Sequence, residues 1–222
     1  MPPSTKTTIV MLSQPESPAS EAYRTLRINL EFSAIDREIQ TIAITSAIRD
    51  EGKTTTALNL AIAYAKAGKK VLLVDADLRK PSIHHAFYTD NSVGLTNLVT
   101  RKHEMNEVAV ETHIDNLTVV TSGPLPPSPS ELLASQRLET LLAEWKQSYE
   151  IILIDTPPAF TLMDAKIVAS KCDGTLLVME YGKVKRAIAK RVKDELTQVK
   201  ANVLGVVLNK INEKETEAIH YP

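Results

Sequence analysis

Three short stretches hold residues whose types and spacing suit phosphate chemistry. The first is Ala47-Ile48-Arg49-Asp50-Glu51-Gly52-Lys53-Thr54-Thr55, directly after an apolar run, Thr41 to Thr45. It fits G-x-x-x-x-G-K-[ST] except at the first glycine, where Ala47 stands. Gly52 lets backbone amides approach a phosphate, and the start of a following helix adds partial positive charge. Lys53 supplies a full charge to outer phosphates, and the Thr54 hydroxyl can ligate magnesium. The candidate nucleotide contacts are Arg49, Asp50, Glu51, Gly52, Lys53, Thr54 and Thr55. A chance Gly-Lys-Thr in a turn is the plain alternative, and an apolar strand before it with a helix after it argues against chance.

The other two stretches are strands that end in aspartate. Val71 to Val74 runs into Asp75-Ala76-Asp77-Leu78-Arg79-Lys80-Pro81, and Ile151 to Ile154 runs into Asp155-Thr156-Pro157-Pro158. A carboxylate just past a buried strand points to the edge of a parallel sheet where ligands bind. There it can orient a metal or take a proton in phosphoryl transfer. A turn aspartate is the alternative for any one of them. Two such strand ends beside a phosphate loop favour chemistry for Asp155 and for one of Asp75 and Asp77. Spacing does not tell which of that pair lies nearer a metal. Asn209, just after the last strand, is placed either to read an adenine edge or to cap a turn.

These residues need a scaffold, and the apolar pattern supplies one. Strands are expected at Thr41–Thr45, Val71–Val74, Leu117–Thr121, Ile151–Ile154, Thr175–Met179 and Val203–Leu208. Their runs do not alternate, which marks strands covered on both faces. Helices are expected from near Ser20 with Tyr23, Leu26, Leu30 and Ile35 inward, over Lys53–Ala67 with Gly68 as its stop, near Met163–Ser170, and near Val184–Val199. Residues 83–111 suggest only short helices around Leu95 to Leu98. Ser128, Pro129 and Glu131 read as a helix start with a side-chain cap, and Trp145 on that helix as core. Cys172 reads as a small buried residue. Strands alternating with helices give an α/β domain with a mostly parallel sheet. The organisation expected is a flexible arm at 1–19, one domain at 20–211 and a short tail at 212–222.

Composition narrows the function classes. Lys plus Arg is 26 and Asp plus Glu is 27, a formal net charge of −1, so a globally basic nucleic-acid binder is not expected. The lysines and arginines between Lys183 and Lys193 read as a solvated helix face, diluted by Asp194 and Glu195. A single cysteine fits a reducing, cytoplasmic setting, and no segment reads as a secretory signal or a bilayer span.

Taken together, the motifs resemble those of bacterial protein-tyrosine kinases that control capsule and exopolysaccharide synthesis. The resemblance runs from about Ala19 to Asn209. It rests on the phosphate loop, on both aspartate-ended strands, on Pro129-Ser130-Glu131-Leu132-Leu133, and on an E-x-x-R-x-x-R signature formed by Glu21, Arg24 and Arg27. It implies a P-loop NTPase fold of the SIMIBI, MinD-like kind and an ATP- and Mg2+-dependent tyrosine kinase. Its catalytic residues map onto Lys53, Asp75, Asp77 and Asp155, and its metal-associated ones onto Thr54, Asp77 and Asp155. It also implies a membrane activator with a cytoplasmic tail, an opposing tyrosine phosphatase, and a homo-oligomeric ring held through Glu21, Arg24 and Arg27. The chain would then sit on the inner face of the membrane through that partner. Arg49-Asp50 stands where the family often has Pro-Gly. The family's tyrosine-rich tail is reduced here to Tyr221, the expected acceptor in trans. Two alternatives stay open at this point: a chromosome-partitioning or division-site ATPase, whose signature lysine is replaced by Ile48, and a nucleotide switch that binds a membrane partner without transferring phosphate.

Overall fold

A computed structural model describes residues 9–33 and 38–211. In chain order the elements are α1 (Val10–Ser13), α2 (Pro18–Ser33), β1 (Thr41–Ser46), α3 (Lys53–Lys66), β2 (Val71–Asp75), α4 (Ile83–Ala86), α5 (Leu95–Val99), α6 (Met105–Val108), β3 (Val110–Glu111), β4 (Leu117–Val120), α7 (Pro129–Ala134), α8 (Gln136–Lys146), β5 (Ile151–Asp155), α9 (Met163–Lys171), β6 (Gly174–Glu180), α10 (Arg186–Gln198) and β7 (Val203–Asn209). The seven strands form one sheet in the order β3-β4-β2-β5-β1-β6-β7. Every pairing is parallel except β3 with β4 at one edge.

Side-chain alternation explains the unbroken apolar runs. Leu72, Val74, Ile152 and Ile154 face one core, built with Leu133, Leu141, Trp145, Val168 and Val192 from α7 to α10. Val71, Leu73, Ile151 and Leu153 face the other, built with Met11, Leu30, Leu58, Ile62 and Tyr64 from α1 to α3. Both faces being covered, no position on these strands tolerates a polar residue until the strand ends. Asp75 aligns with Asp155 across the β2–β5 pair, and Ile44 near the end of β1 also aligns with Asp155. The candidate carboxylates therefore gather at one edge of the sheet.

Four local expectations change. The arm is described from Ile9 onward, and there it is packed rather than loose. Met11 is 1% exposed, its N–H donates to Asn59 Oδ1 at 3.0 Å, and Lys66 Nζ donates to its carbonyl at 2.8 Å. The buried Ser20 hydroxyl closes the α1–α2 turn by donating to the Gln14 carbonyl at 2.8 Å. Ser128 stands at the N-cap of α7, but its backbone (φ −129°, ψ 80°) makes no side-chain cap bond, so Pro129 at the first turn sets the start. The helix carrying Trp145 is two helices, broken where Ser135 is extended. Cys172 is partly rather than fully buried. Ile35 and Tyr221 lie outside the described residues.

Candidate active site

The phosphate loop turns on two left-handed residues. Asp50 has φ +64° and Gly52 has φ +91°. Aspartate is among the few residues with a side chain that visit this region readily, so it serves at the position where Pro-Gly was expected. Gly52 has no such substitute. A Cβ there would lie 2.0 Å from Asn209 Nδ2. The loop is tied to the ends of β6 and β7. The buried Glu51 carboxylate accepts from Ile48 N–H at 2.6 Å and from Glu180 N–H at 3.0 Å. Asn209 Nδ2 donates to the Glu51 carbonyl at 2.8 Å, and Lys210 Nζ to the Asp50 carbonyl at 2.6 Å.

Glu51 and Asn209 thus hold the loop in shape, and the contacts of Asn209 are those of the turn residue that was one of its two readings. Arg49 stays exposed beside it.

Lys53 and Thr54 begin α3 and reach the aspartates. Lys53 Nζ lies 3.0 Å from Asp77 Oδ2 and 3.6 Å from Asp155 Oδ2. Burial works against the Lys53 charge, but Asp155 and then Asp77 outweigh it and hold the ammonium pKa above its ordinary value. The Thr54 hydroxyl donates to Asp155 Oδ2 at 2.6 Å. Asp155 is fully buried, and its Oδ1 finds no hydrogen-bond donor among the described residues. Burial raises its pKa, with Lys53 and Thr54 opposing.

Asp75 plays a different part from Asp77. Its Oδ1 accepts from Asp77 N–H at 3.1 Å, and its Oδ2 from Ser82 and Ile83 N–H at 2.9 and 3.0 Å. Full burial, then the nearby Asp155 charge, push its pKa up to about 7. Asp75 therefore fixes the course of the chain after β2, while Asp77 presents its carboxylate to Lys53.

A second cluster escaped the sequence reading. Arg79 Nε donates to the buried Asp164 at 2.7 Å, and the Ser130 hydroxyl donates to the same carboxylate. This joins the segment after β2 to the starts of α7 and α9. The signal available was only that Arg79 belongs to the aspartate motif and Asp164 to the first turn of a helix. Glu21 pairs with Arg24 at 2.8 Å, and Arg27 with Glu31 at 2.8 Å, within α2.

A parallel sheet with a Gly-Lys-Thr loop after β1 and aspartates ending β2 and β5 defines a P-loop NTPase that binds nucleotide. Residues 39–207 match a family described as an AAA domain. The tyrosine-protein kinase YwqD of Bacillus subtilis is 43% identical over 201 residues, spanning 90% of this chain and 85% of that protein. The kinase domain of Escherichia coli tyrosine kinase ETK superposes with a TM-score of 0.89 at 33% identity, covering 93% of this chain and 81% of that one. The chimerical protein CapA2B2 superposes with a TM-score of 0.89 at 38% identity, covering 92% and 90%.

The chain belongs to the bacterial protein-tyrosine kinase family and is a protein-tyrosine kinase. The division-type ATPase and the non-transferring switch are not favoured by these relatives.

Proposed function

We propose that this kinase uses ATP with magnesium, phosphorylates tyrosines on neighbouring copies of itself, and thereby regulates capsule or exopolysaccharide polymerisation or export. The observation that carries the reading is the set Lys53, Thr54, Asp77 and Asp155 at one sheet edge. Its orphaned Asp155 Oδ1 is a hard oxygen without a donor, which fits magnesium. Thr54 and Asp155 would hold the ion. When bound, magnesium would neutralise phosphate charge.

The residues divide the remaining work. Lys53 leaves its carboxylate partners for the outer phosphates of ATP and stabilises charge spread over the transferred group. Thr54 keeps Asp155 oriented through its hydroxyl. Asp77, released from Lys53, is the carboxylate free to take the phenol proton of an incoming tyrosine. Glu51, Asn209 and Lys210 keep the loop amides in place, so the site is preorganised at little further cost.

The expected acceptor is Tyr221 of a neighbour. Expected partners are the cytoplasmic tail of a membrane activator of the polysaccharide co-polymerase type and a tyrosine phosphatase that reverses the mark. Attachment to the inner membrane face would come through the activator. No helix among the described residues is long and apolar enough to cross a membrane. Active chain mixed with a Lys53→Met copy should place phosphotyrosine on Tyr221 of the inactive copy, and more of it when the activator tail is added. An inactive copy that stays unmodified while the active chain phosphorylates itself would remove transfer in trans.

A further inference from the structure

Tyr88 stands where the physics of the chain argues against a tyrosine. The helix α4 ends with Thr89 N–H donating to the His84 carbonyl at 3.1 Å, the long closing bond of a Schellman turn. Phe87 is the C-cap, so Tyr88 takes the next position, where glycine is the usual residue. Its φ is +52°. Holding a bulky side chain in this conformation costs about 1 to 2 kcal/mol.

The turn also lifts the ring off the surface. Tyr88 is 91% exposed, and its hydroxyl makes no hydrogen bond among the described residues. Other described tyrosines differ. Tyr64, on α3, is 1% exposed within one core, Tyr23 and Tyr149 are packed against the two cores, and Tyr181 is 38% exposed. Neither a core contact nor a hydrogen bond among the described residues restrains the Tyr88 ring, which leaves it accessible to another molecule.

The position is also tied to the catalytic edge. The two amides that bind Asp75 Oδ2 belong to Ser82 and Ile83, and Ile83 is the first residue of α4. Tyr88 lies two residues beyond Ala86, the last residue of that same short helix. Exposed on a turn, the phenol can enter the site of a second copy without any element unfolding.

We propose that Tyr88 is a second phosphoacceptor, modified in trans by another copy of this chain. The proposal rests on the reading of transfer between copies given above. In the step, the Tyr88 oxygen forms a bond to the γ-phosphorus of ATP. The bond from that phosphorus to the β–γ bridging oxygen breaks, and its electrons leave with ADP. The phenol proton passes to Asp77 of the catalysing copy.

The test mixes active chain carrying Tyr221→Phe with an inactive Lys53→Met acceptor, in ATP and magnesium, and maps phosphotyrosine by mass spectrometry. A synthetic glutamate–tyrosine copolymer in a parallel tube reports transfer itself. Phosphate at Tyr88 of the inactive copy, lost in Lys53→Met/Tyr88→Phe, is the expected result. Copolymer phosphorylation by the active chain should be unchanged by Tyr88→Phe, because the ring lies outside the catalytic set. Phosphate on Tyr221 of the acceptor with none on Tyr88 overturns this proposal and leaves transfer in trans standing. No phosphate anywhere on the acceptor, with the copolymer labelled, overturns both.

Discussion

Asp75 and Asp77 lie two residues apart, yet they face different neighbours, and spacing alone cannot show that. The carboxylate of Asp75 is claimed by Ser82 and Ile83, which return to it only because α4 folds back over the strand end. That return is a tertiary fact. Lys53, Thr54 and Asp155 were legible because loop, helix start and strand end each leave a local pattern. Glu51 and Asn209 were placed near the site correctly in the chain, but their partners across β6 and β7 could not be read from it. The two aspartates should fail differently. Asp77→Asn should fold as the parent does and lose transfer by about 100-fold or more, the scale of a general base. Asp75→Asn turns an amide NH2 toward backbone donors, so its unfolding free energy should drop by about 1–3 kcal/mol. Urea denaturation beside turnover separates the two, and equal stability of both variants would remove the division of roles. The raised carboxyls also set a pH dependence. With Asp75 near 7 and Asp155 above its ordinary value, both bind protons more tightly in the folded protein than free carboxyls do. Magnesium favours their ionised forms, so binding must release protons below about pH 7 and tighten as pH rises from 6 to 8. Calorimetry in two buffers of different ionisation heat should show that release, and a buffer-independent heat would show the carboxyls already ionised.

At the scale of elements, what was legible was what repeats. Six strands and the helices α2, α3, α9 and α10 leave apolar runs or helical spacing that survive reading one residue at a time. The packed part of the arm does not. Only Met11 of α1 is buried, and the partners that hold it, Asn59 and Lys66, are far along the chain. Pro and Ser around it read as linker because their local preference is for turns, and tertiary contact overrides that preference. Met11→Ala should cost about 2–5 kcal/mol if this packing is as described. A thermal midpoint equal to the parent's would return residues 9–13 to linker status. The region 83–111 was read as weak for a related reason: α4, α5 and α6 are each too short for periodicity to register. One constraint there is steric. A Cβ on Gly94 would lie 2.2 Å from Gly123 N and 2.4 Å from the Thr121 carbonyl, at the end of β4. Gly94→Ala should therefore destabilise by about 1–3 kcal/mol, the cost of overpacking.

For the whole molecule, the sheet order brings β1, β2 and β5 side by side, so one edge collects the loop and the carboxylates. The composition, near neutral overall, neither reveals nor forbids assembly. Within one chain, Arg24 and Arg27 already pair with Glu21 and Glu31, exposed contacts worth little to stability. If α2 also joins copies into a ring, Arg24→Ala/Arg27→Ala should move sedimentation toward smaller species with the thermal midpoint nearly unchanged. Identical sedimentation would place these arginines in the single chain only. The central claim concerns the site rather than the assembly: Lys53, Thr54, Asp77 and Asp155 transfer phosphate from ATP to tyrosine. It is tested most directly with labelled ATP and magnesium, a tyrosine-containing copolymer as acceptor, and the parent chain beside a folded Lys53→Met variant. The account predicts phosphotyrosine formed by the parent and a loss of several kcal/mol of transition-state stabilisation in the variant, roughly 100-fold or more in rate. Undiminished phosphotyrosine from folded Lys53→Met would contradict it.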